Sequence, residues 1–185
     1  MVKGGCARPG TVKYCNSDKP GRQLHPVNCV GWDQANQYAK FKGARLLSET
    51  EYEYAATSGG KNQKYPWGNE DATCDKAVMY GNGDYGCGSG TTMPVCSKPA
   101  GNTAQGLCDM VGNVWQWVQD KYQSSYANTP LDGSASEGAG SSRVLRGGSF
   151  GSRDAGRLRA DHRLYDFAPA DRYDGIGFRL ARSSR

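Results

Sequence analysis

A single α+β domain with two short helices, small antiparallel sheets and much irregular loop is the fold class this chain predicts. Three observations predict it. An apolar repeat near 3.6 residues is confined to residues 32–56, short segments alternating at period two stand far apart after residue 113, and turn formers, led by 26 glycines, fill most of the rest. At 185 residues the chain has the length of one domain, and its 37% hydrophobic and 22% charged residues suit a modest core and exclude a disordered or fibrous chain. It has no run of about 18 apolar residues that could span a membrane, and Met1-Val-Lys-Gly-Gly lacks the apolar stretch of a secretion signal.

Residues 1–28 are rich in Gly, Pro and Lys without a period and are expected to form a stapled irregular segment. From Trp32 to Phe41 the apolar groups Trp32, Ala35, Tyr38 and Ala39 follow a helical period, and Gly43 stands where a left-handed residue would end the helix. Ser48 begins a second helix: its hydroxyl can accept from the amide three residues on while Glu51 reaches back, and Tyr52, Ala55 and Ala56 form the buried face. Ser58-Gly-Gly stops it. From Lys61 to Gly106 turn formers dominate, and a loop region of that length needs ligands, staples or ions in place of regular hydrogen bonding. Val114 to Val118, Arg143 to Arg146 and Ile176 to Ala181 read as strands, with a Gly/Ser-rich linker from Leu131 to Ser142 before the second.

Seven cysteines, Cys6, Cys15, Cys29, Cys74, Cys87, Cys96 and Cys108, are spaced too irregularly for paired zinc knuckles. Disulfides are the expected use. The local loops Cys6 to Cys15, Cys74 to Cys87 and Cys96 to Cys108 could each close with about 2–3 kcal/mol of stabilisation, leaving Cys29 single. That connectivity is one among many, and the alternative is a set of small buried thiols in a reducing compartment.

The net charge of +5 is unevenly built, with all ten Lys at or before Lys121 and ten of the thirteen Arg at or after Arg143. Asp154, Asp161, Asp166, Asp171 and Asp174 are interleaved with those arginines, so the segment is no phosphate-binding stripe and nucleic acid is not the expected partner.

Six segments occur in a fixed order: His25-Pro-Val-Asn-Cys-Val, Gly43-Ala-Arg-Leu-Leu-Ser-Glu-Thr-Glu-Tyr-Glu-Tyr-Ala-Ala, Tyr65-Pro-Trp-Gly, Gly106-Leu-Cys-Asp-Met-Val-Gly-Asn-Val-Trp-Gln-Trp, Arg143-Val-Leu-Arg-Gly-Gly-Ser-Phe and Gly177-Phe-Arg. Together, over residues 25–182, they resemble the formylglycine-generating enzyme (sulfatase-modifying factor) family, whose fold is a variant of the C-type lectin fold. The family's opening strand and first helix are expected to be missing or much reduced here. In the family's enzymes a cysteine pair after the Gly-Gly-Ser-aromatic motif carries copper-dependent oxidation, because Cu(I) selects thiolates. The matching positions here are Ser152 and Arg157, and no cysteine follows Cys108. The resemblance therefore excludes formylglycine generation and a redox cofactor. The family's sulfur-transferring iron enzymes need histidine ligands from a further helical domain, and this chain has only His25 and His162.

The C-terminal region is also similar to variable proteins of diversity-generating retroelements, which use the same scaffold. They end in a Leu-Arg-Gly-Gly-Ser-aromatic segment, a hypervariable tract and Ile-Gly-Phe-Arg-Leu, as Leu145 to Phe150 and Ile176 to Leu180 do here. In such systems adenines of a template are randomised, so an Asn codon AAY can become an Arg or Tyr codon but never one for Lys, Glu, Gln, Met or Trp. Those five residues make up 31 of 185, so a 29-residue window should hold about five; Phe150 to Phe178 holds none. The late appearance of Arg without Lys has the same explanation.

The positions this resemblance marks as ligand-binding are Gly151, Ser152, Arg153, Asp154, Arg157, Asp161, His162, Arg163, Leu164, Tyr165, Asp166, Phe167, Asp171, Arg172, Tyr173, Asp174 and Gly175, separated by scaffold residues Leu158-Arg-Ala and Pro169-Ala. Phe150 and Phe178 are read as strand residues of the core. If the variable side chains protrude, Tyr165→Ala, Phe167→Ala and Arg163→Ala should each shift stability by no more than about 0.5 kcal/mol. The family's Asn/Asp-x-x-Gly-Asn-x-Trp-Glu motif implies a structural calcium held by Asp109, the carbonyls of Gly112 and Val114, and Gln116, oxygen ligands such as this ion requires. The implied function is a non-enzymatic, monomeric receptor that displays a diversified surface to a protein or glycan ligand, cell-surface, secreted or on a virion. The second reading is a degenerate or accessory formylglycine-generating-type domain.

Overall fold

The computed structural model describes residues 14–165 and 167–182. Helix α1 (Trp32–Phe41) buries Trp32, Ala35 and Ala39 and ends as expected at Gly43, whose φ of 61° is left-handed. Tyr38, on the predicted stripe, is 40% exposed and rests edge-on against Phe178. After the short strand β1 (Arg45–Leu46), Ser48 caps helix α2 (Glu49–Ala56): its Oγ accepts from the Glu51 amide at 3.1 Å, and Glu51 Oε2 accepts from the Ser48 amide at 2.9 Å. Arg45 clamps the same carboxylate with two bonds, of 2.5 and 2.6 Å.

The main sheet joins β2 (Trp115–Lys121), β3 (Arg143–Arg146), β4 (Arg163–Leu164) and β5 (Ile176–Phe178) in the order β4-β3-β2-β5. β2/β3 and β3/β4 are antiparallel, but β5 lies parallel to β2, with Ile176 opposite Trp115 and Phe178 opposite Trp117. The sheet is therefore mixed rather than wholly antiparallel. β3 already occupies one edge of β2, and the chain reaches the other edge only after the long 165–175 crossover, which sets a parallel direction. The expected single strand 176–181 also divides: beyond Arg179 the chain leaves β2, and β6 (Leu180–Ala181) pairs antiparallel with β1.

Trp115, Trp117, Leu145 and Ile176 pack with α1 and Leu46 into one core cluster; Tyr52, Ala56, Met110, Val118 and Val144 form a second, under α2. Both faces of β2 are covered, so Gln116, at the polar centre of the alternation, is buried too. Two indoles of the first cluster find carbonyls: Trp32 Nε1 donates to Val118 at 2.7 Å and Trp117 Nε1 to Val30 at 2.9 Å.

Three disulfides join Cys15 to Cys29, Cys74 to Cys87 and Cys96 to Cys108. The last two are the expected local closures. The expected Cys6–Cys15 bridge is replaced, because the Asn28 side chain accepts from the Asn16 amide at 2.7 Å and donates to the Tyr14 carbonyl at 3.0 Å, seating Cys15 against Cys29. Cys6 lies outside the described residues. In the turn-rich stretch the staples and side-chain amides substitute for strands: Asn113 both accepts from and donates to the Met93 backbone.

Candidate ligand-binding surface

The tract between β3 and β5 alternates between anchored and outward residues. Leu158 and Ala160, read as scaffold, are fully enclosed in two different core clusters. Between and beyond them Arg153, Asp154, Arg157, Asp161, Tyr165, Arg172 and Tyr173 are exposed, and Gly151, His162, Asp171, Asp174 and Gly175 are half-buried. Asp166 lies outside the described residues.

Four of the expected contact residues belong to the scaffold instead. Ser152 is buried; its Oγ accepts from the Ser149 amide at 3.0 Å and its carbonyl accepts from Tyr80, so it closes the turn after β3. Leu164 and Phe167 pack on the first core cluster, because β4 pairs with β3 and the Phe167 carbonyl accepts from the Arg143 amide. Arg163 forks onto buried Glu49 at 2.6 and 2.8 Å and donates to the Gln123 carbonyl at 3.0 Å. Glu49 also accepts from Arg146, a fully buried guanidinium that reaches Glu53 and the carbonyls of Ala160 and Asp161. The tract is thereby bolted to α2. No local pattern signals this pairing, since the partners stand 97 and 114 residues apart.

The outward residues form two groups. Tyr165 stacks on Tyr122 with ring centroids 4.2 Å apart, next to Arg163, whose guanidinium lies over Tyr126. At the other, a cavity of about 560 Å³ opens between the tract and the 84–90 turn, with Tyr14, Tyr85, Phe150, Asp84 and Asp174 among its walls. Asp84 and Tyr85 went unrecognised in sequence, where they were only turn formers beside the Cys74–Cys87 staple. Phe150 is buried as expected, yet its ring lines this cavity. Arg153 lies over the Tyr80 ring at 4.3 Å and the Tyr85 ring at 5.5 Å.

Ser152 offers a hydroxyl and Arg157 a guanidinium; His25 is bonded to Thr92 Oγ1 at 2.9 Å, and burial, with Arg157 and Arg146 adding to it, holds the pKa of His162 below the ordinary value. The described ligand-type grouping is Cys96, Cys108 and Asp109, and its two sulfurs are already joined to each other.

The 109–116 loop does not fit a calcium ion. Arg179 Nε donates to Gln116 Oε1 at 3.1 Å, and its Nη2 donates to the Cys108 carbonyl at 2.7 Å. A cation thus already occupies the side-chain oxygen assigned to the metal. The remaining carboxylate, Asp109, has its pKa raised by burial, and its Oδ2 accepts from the Cys96 amide at 2.8 Å. One carboxylate beside a guanidinium is a poor match for an ion that takes six to eight oxygens.

Comparison with known proteins agrees with this architecture. The sulfatase-modifying factor enzyme 1-like domain matches residues 2–184. A formylglycine-generating enzyme of Streptomyces coelicolor is 34% identical over 91% of this chain and 56% of its own length; an inactive C-alpha-formylglycine-generating enzyme 2 of Bos taurus is 34% identical over 84% of this chain and 50% of its own. The chain therefore spans about half the length of these relatives. Among solved structures, PvdO from Pseudomonas aeruginosa superimposes with a TM-score of 0.74 at 34% identity, covering 85% of this chain and 61% of that one. Treponema denticola variable protein 1 gives 0.71 at 24% identity over 95% and 74%, and a Major Tropism Determinant variant gives 0.52 at 15% over 81% and 36%. The last two share the fold.

Proposed function

Because the chain belongs to the sulfatase-modifying factor enzyme 1-like domain family yet has Ser152 and Arg157 where the family's oxidising cysteines would stand, we propose that it is a non-enzymatic binding protein. Its 150–178 tract is diversified by a retroelement and displayed to a protein or glycan. One observation carries this reading: within a tract free of Lys, Glu, Gln, Met and Trp, Leu158 and Ala160 of the residues read as scaffold are sealed in the core, while Arg153, Asp154, Arg157, Asp161, Tyr165, Arg172 and Tyr173 of those read as randomised are exposed. A surface of Tyr and Arg on a braced loop suits recognition, since rigid amphipathic rings and forked donors give contact area at low entropic cost. The three disulfides support an oxidising location, extracellular or on a virion, and no helix among the described residues is long and apolar enough to cross a membrane. The exposed tract needs no second copy to complete it, which supports a monomer.

The test is to replace Arg157, Arg172 and Tyr173 together by Ser, His and Asp, all reachable from an Asn codon. The folded state should survive with its melting temperature within a few degrees of the parent, since exposed substitutions each change stability by about 0.5 kcal/mol or less. A neighbouring reverse transcriptase gene with a template repeat differing from 150–178 only at adenines should accompany the gene. Unfolding of the triple variant, or stoichiometric copper binding with oxidase activity, would overturn the reading.

A further inference from the structure

We infer that the cavity beneath Gly151 and Gly175 is a receptor for a guanidinium or alkylammonium side chain, an Arg or Lys presented by a protein partner. This rests on the binding reading above and names the chemistry of one part of that surface.

The first observation is that the cavity is open because of two glycines that the backbone does not require. Neither Gly151 nor Gly175 has a positive φ, so a residue with a side chain could occupy either position without backbone strain. A Cβ at 151 would stand 3.6 Å from two carbons of the Tyr85 ring, and one at 175 would stand 3.2 Å from Ser149 Oγ and 4.0 Å from the Phe150 ring. Side chains at both positions would grow toward Tyr85, Ser149 and Phe150 and narrow the cavity. Both positions belong to the tract read as randomised, so this chain is a variant in which randomisation has left a hole.

The second observation is the chemistry of the walls. Tyr85 and Phe150 meet edge to face, with centroids 6.2 Å apart, and Tyr80 meets Tyr85 in the same way at 5.6 Å. Arg153 already lies over the Tyr80 and Tyr85 rings, so the cluster presents ring faces to a guanidinium at its rim. Two carboxylates share the cavity. Asp84 Oδ1 accepts only from the adjacent Tyr85 amide, at 2.7 Å, and neither Asp84 nor Asp174 forms an ion pair among the described residues. Aromatic faces beside two carboxylates favour a cation over a neutral or anionic group, because both the ring quadrupole and the charges attract it. The cavity is large enough to admit a long side chain with a planar or compact cationic tip.

The experiment titrates the full, disulfide-bonded chain with N-acetyl-argininamide, following amide and ring NMR signals. N-acetyl-citrullinamide, its neutral isostere, and methyl α-mannoside serve as comparison probes. The arginine probe should move the signals of Tyr85, Phe150, Gly151 and Gly175 and saturate, with citrulline binding at least about tenfold more weakly and mannoside not at all. Asp174→Asn should weaken the arginine probe about tenfold, and Gly151→Leu should abolish it while leaving the melting temperature within a degree or two. Equal binding of arginine and citrulline probes, preferential binding of mannoside, or full binding by Gly151→Leu would each overturn the inference. Any of those results leaves the triple substitution of Arg157, Arg172 and Tyr173 free to succeed, so failure here and failure of the display reading are told apart.

Discussion

Replacing Arg163 by Ala removes two charge-assisted bonds to Glu49, at 2.6 and 2.8 Å, and the bond to the Gln123 carbonyl. The Glu49 side chain is only 6% exposed, so it cannot recover that loss from water. Breaking one partner of a buried pair costs about 3–5 kcal/mol, but Arg146 remains at 3.1 Å on the same carboxylate, and Arg163 itself keeps 15% of its side-chain surface in water. Both facts lower the cost, to about 2–3 kcal/mol. For a domain of this size each kcal/mol moves the melting temperature by about 2–4 °C, so a fall of roughly 4–12 °C is expected in a thermal melt. Arg157→Ala is the matched control: it is exposed, forms no ion pair among the described residues, and should shift stability by less than about 0.5 kcal/mol. Equal and negligible shifts for the two variants would refute the argument, placing Arg163 among the free display residues and Glu49 in the care of Arg146 alone.

Two further outcomes are expected. Adding millimolar calcium or a chelator should leave the melting temperature unchanged to within about 1 °C, because a bound ion at a hundred times its Kd would add about 2.7 kcal/mol and the Arg179 guanidinium takes the place it needs; a rise of several degrees with calcium would contradict this. The Glu51 carboxyl is held below the ordinary value of 4.5 chiefly by its bonds to Arg45, with the Ser48 cap adding to it. Its folded-state pKa is depressed, so the stability it contributes is present above the unfolded value and is lost as pH falls through the folded one. Denaturant melts of the parent and Glu51→Gln should therefore differ by about 1 kcal/mol at pH 7 and converge as the pH falls through the folded-state value, and a gap independent of pH would show that the carboxylate charge is irrelevant.

The parts of this chain legible in advance were those whose cause is local. The Ser48–Glu51 cap, the Gly43 terminus and the apolar period of α1 each involve residues within four positions, so their geometry follows from neighbours along the chain. The division of the tract was legible only in part: Leu158 and Ala160, read as scaffold, are enclosed, whereas Ala170, read the same way, is exposed, and Ser152, read as a contact residue, is buried. The 109–116 loop depends on a distant group: its own residues suit a cation, and the guanidinium that bonds to them comes from Arg179, 63 to 71 residues further on.

Composition and short-range pattern by themselves determined the element types and the lack of a cysteine between Cys108 and Arg185. Only the tertiary structure decided that β5 runs parallel to β2, that Cys15 meets Cys29, that Arg163 serves the core and that Gly151 and Gly175 roof a cavity. The reason is physical. Whether a side chain faces water, a carboxylate or a ring depends on groups delivered by distant parts of the chain, and the free energy that brings them together is a property of the whole packed arrangement rather than of any segment.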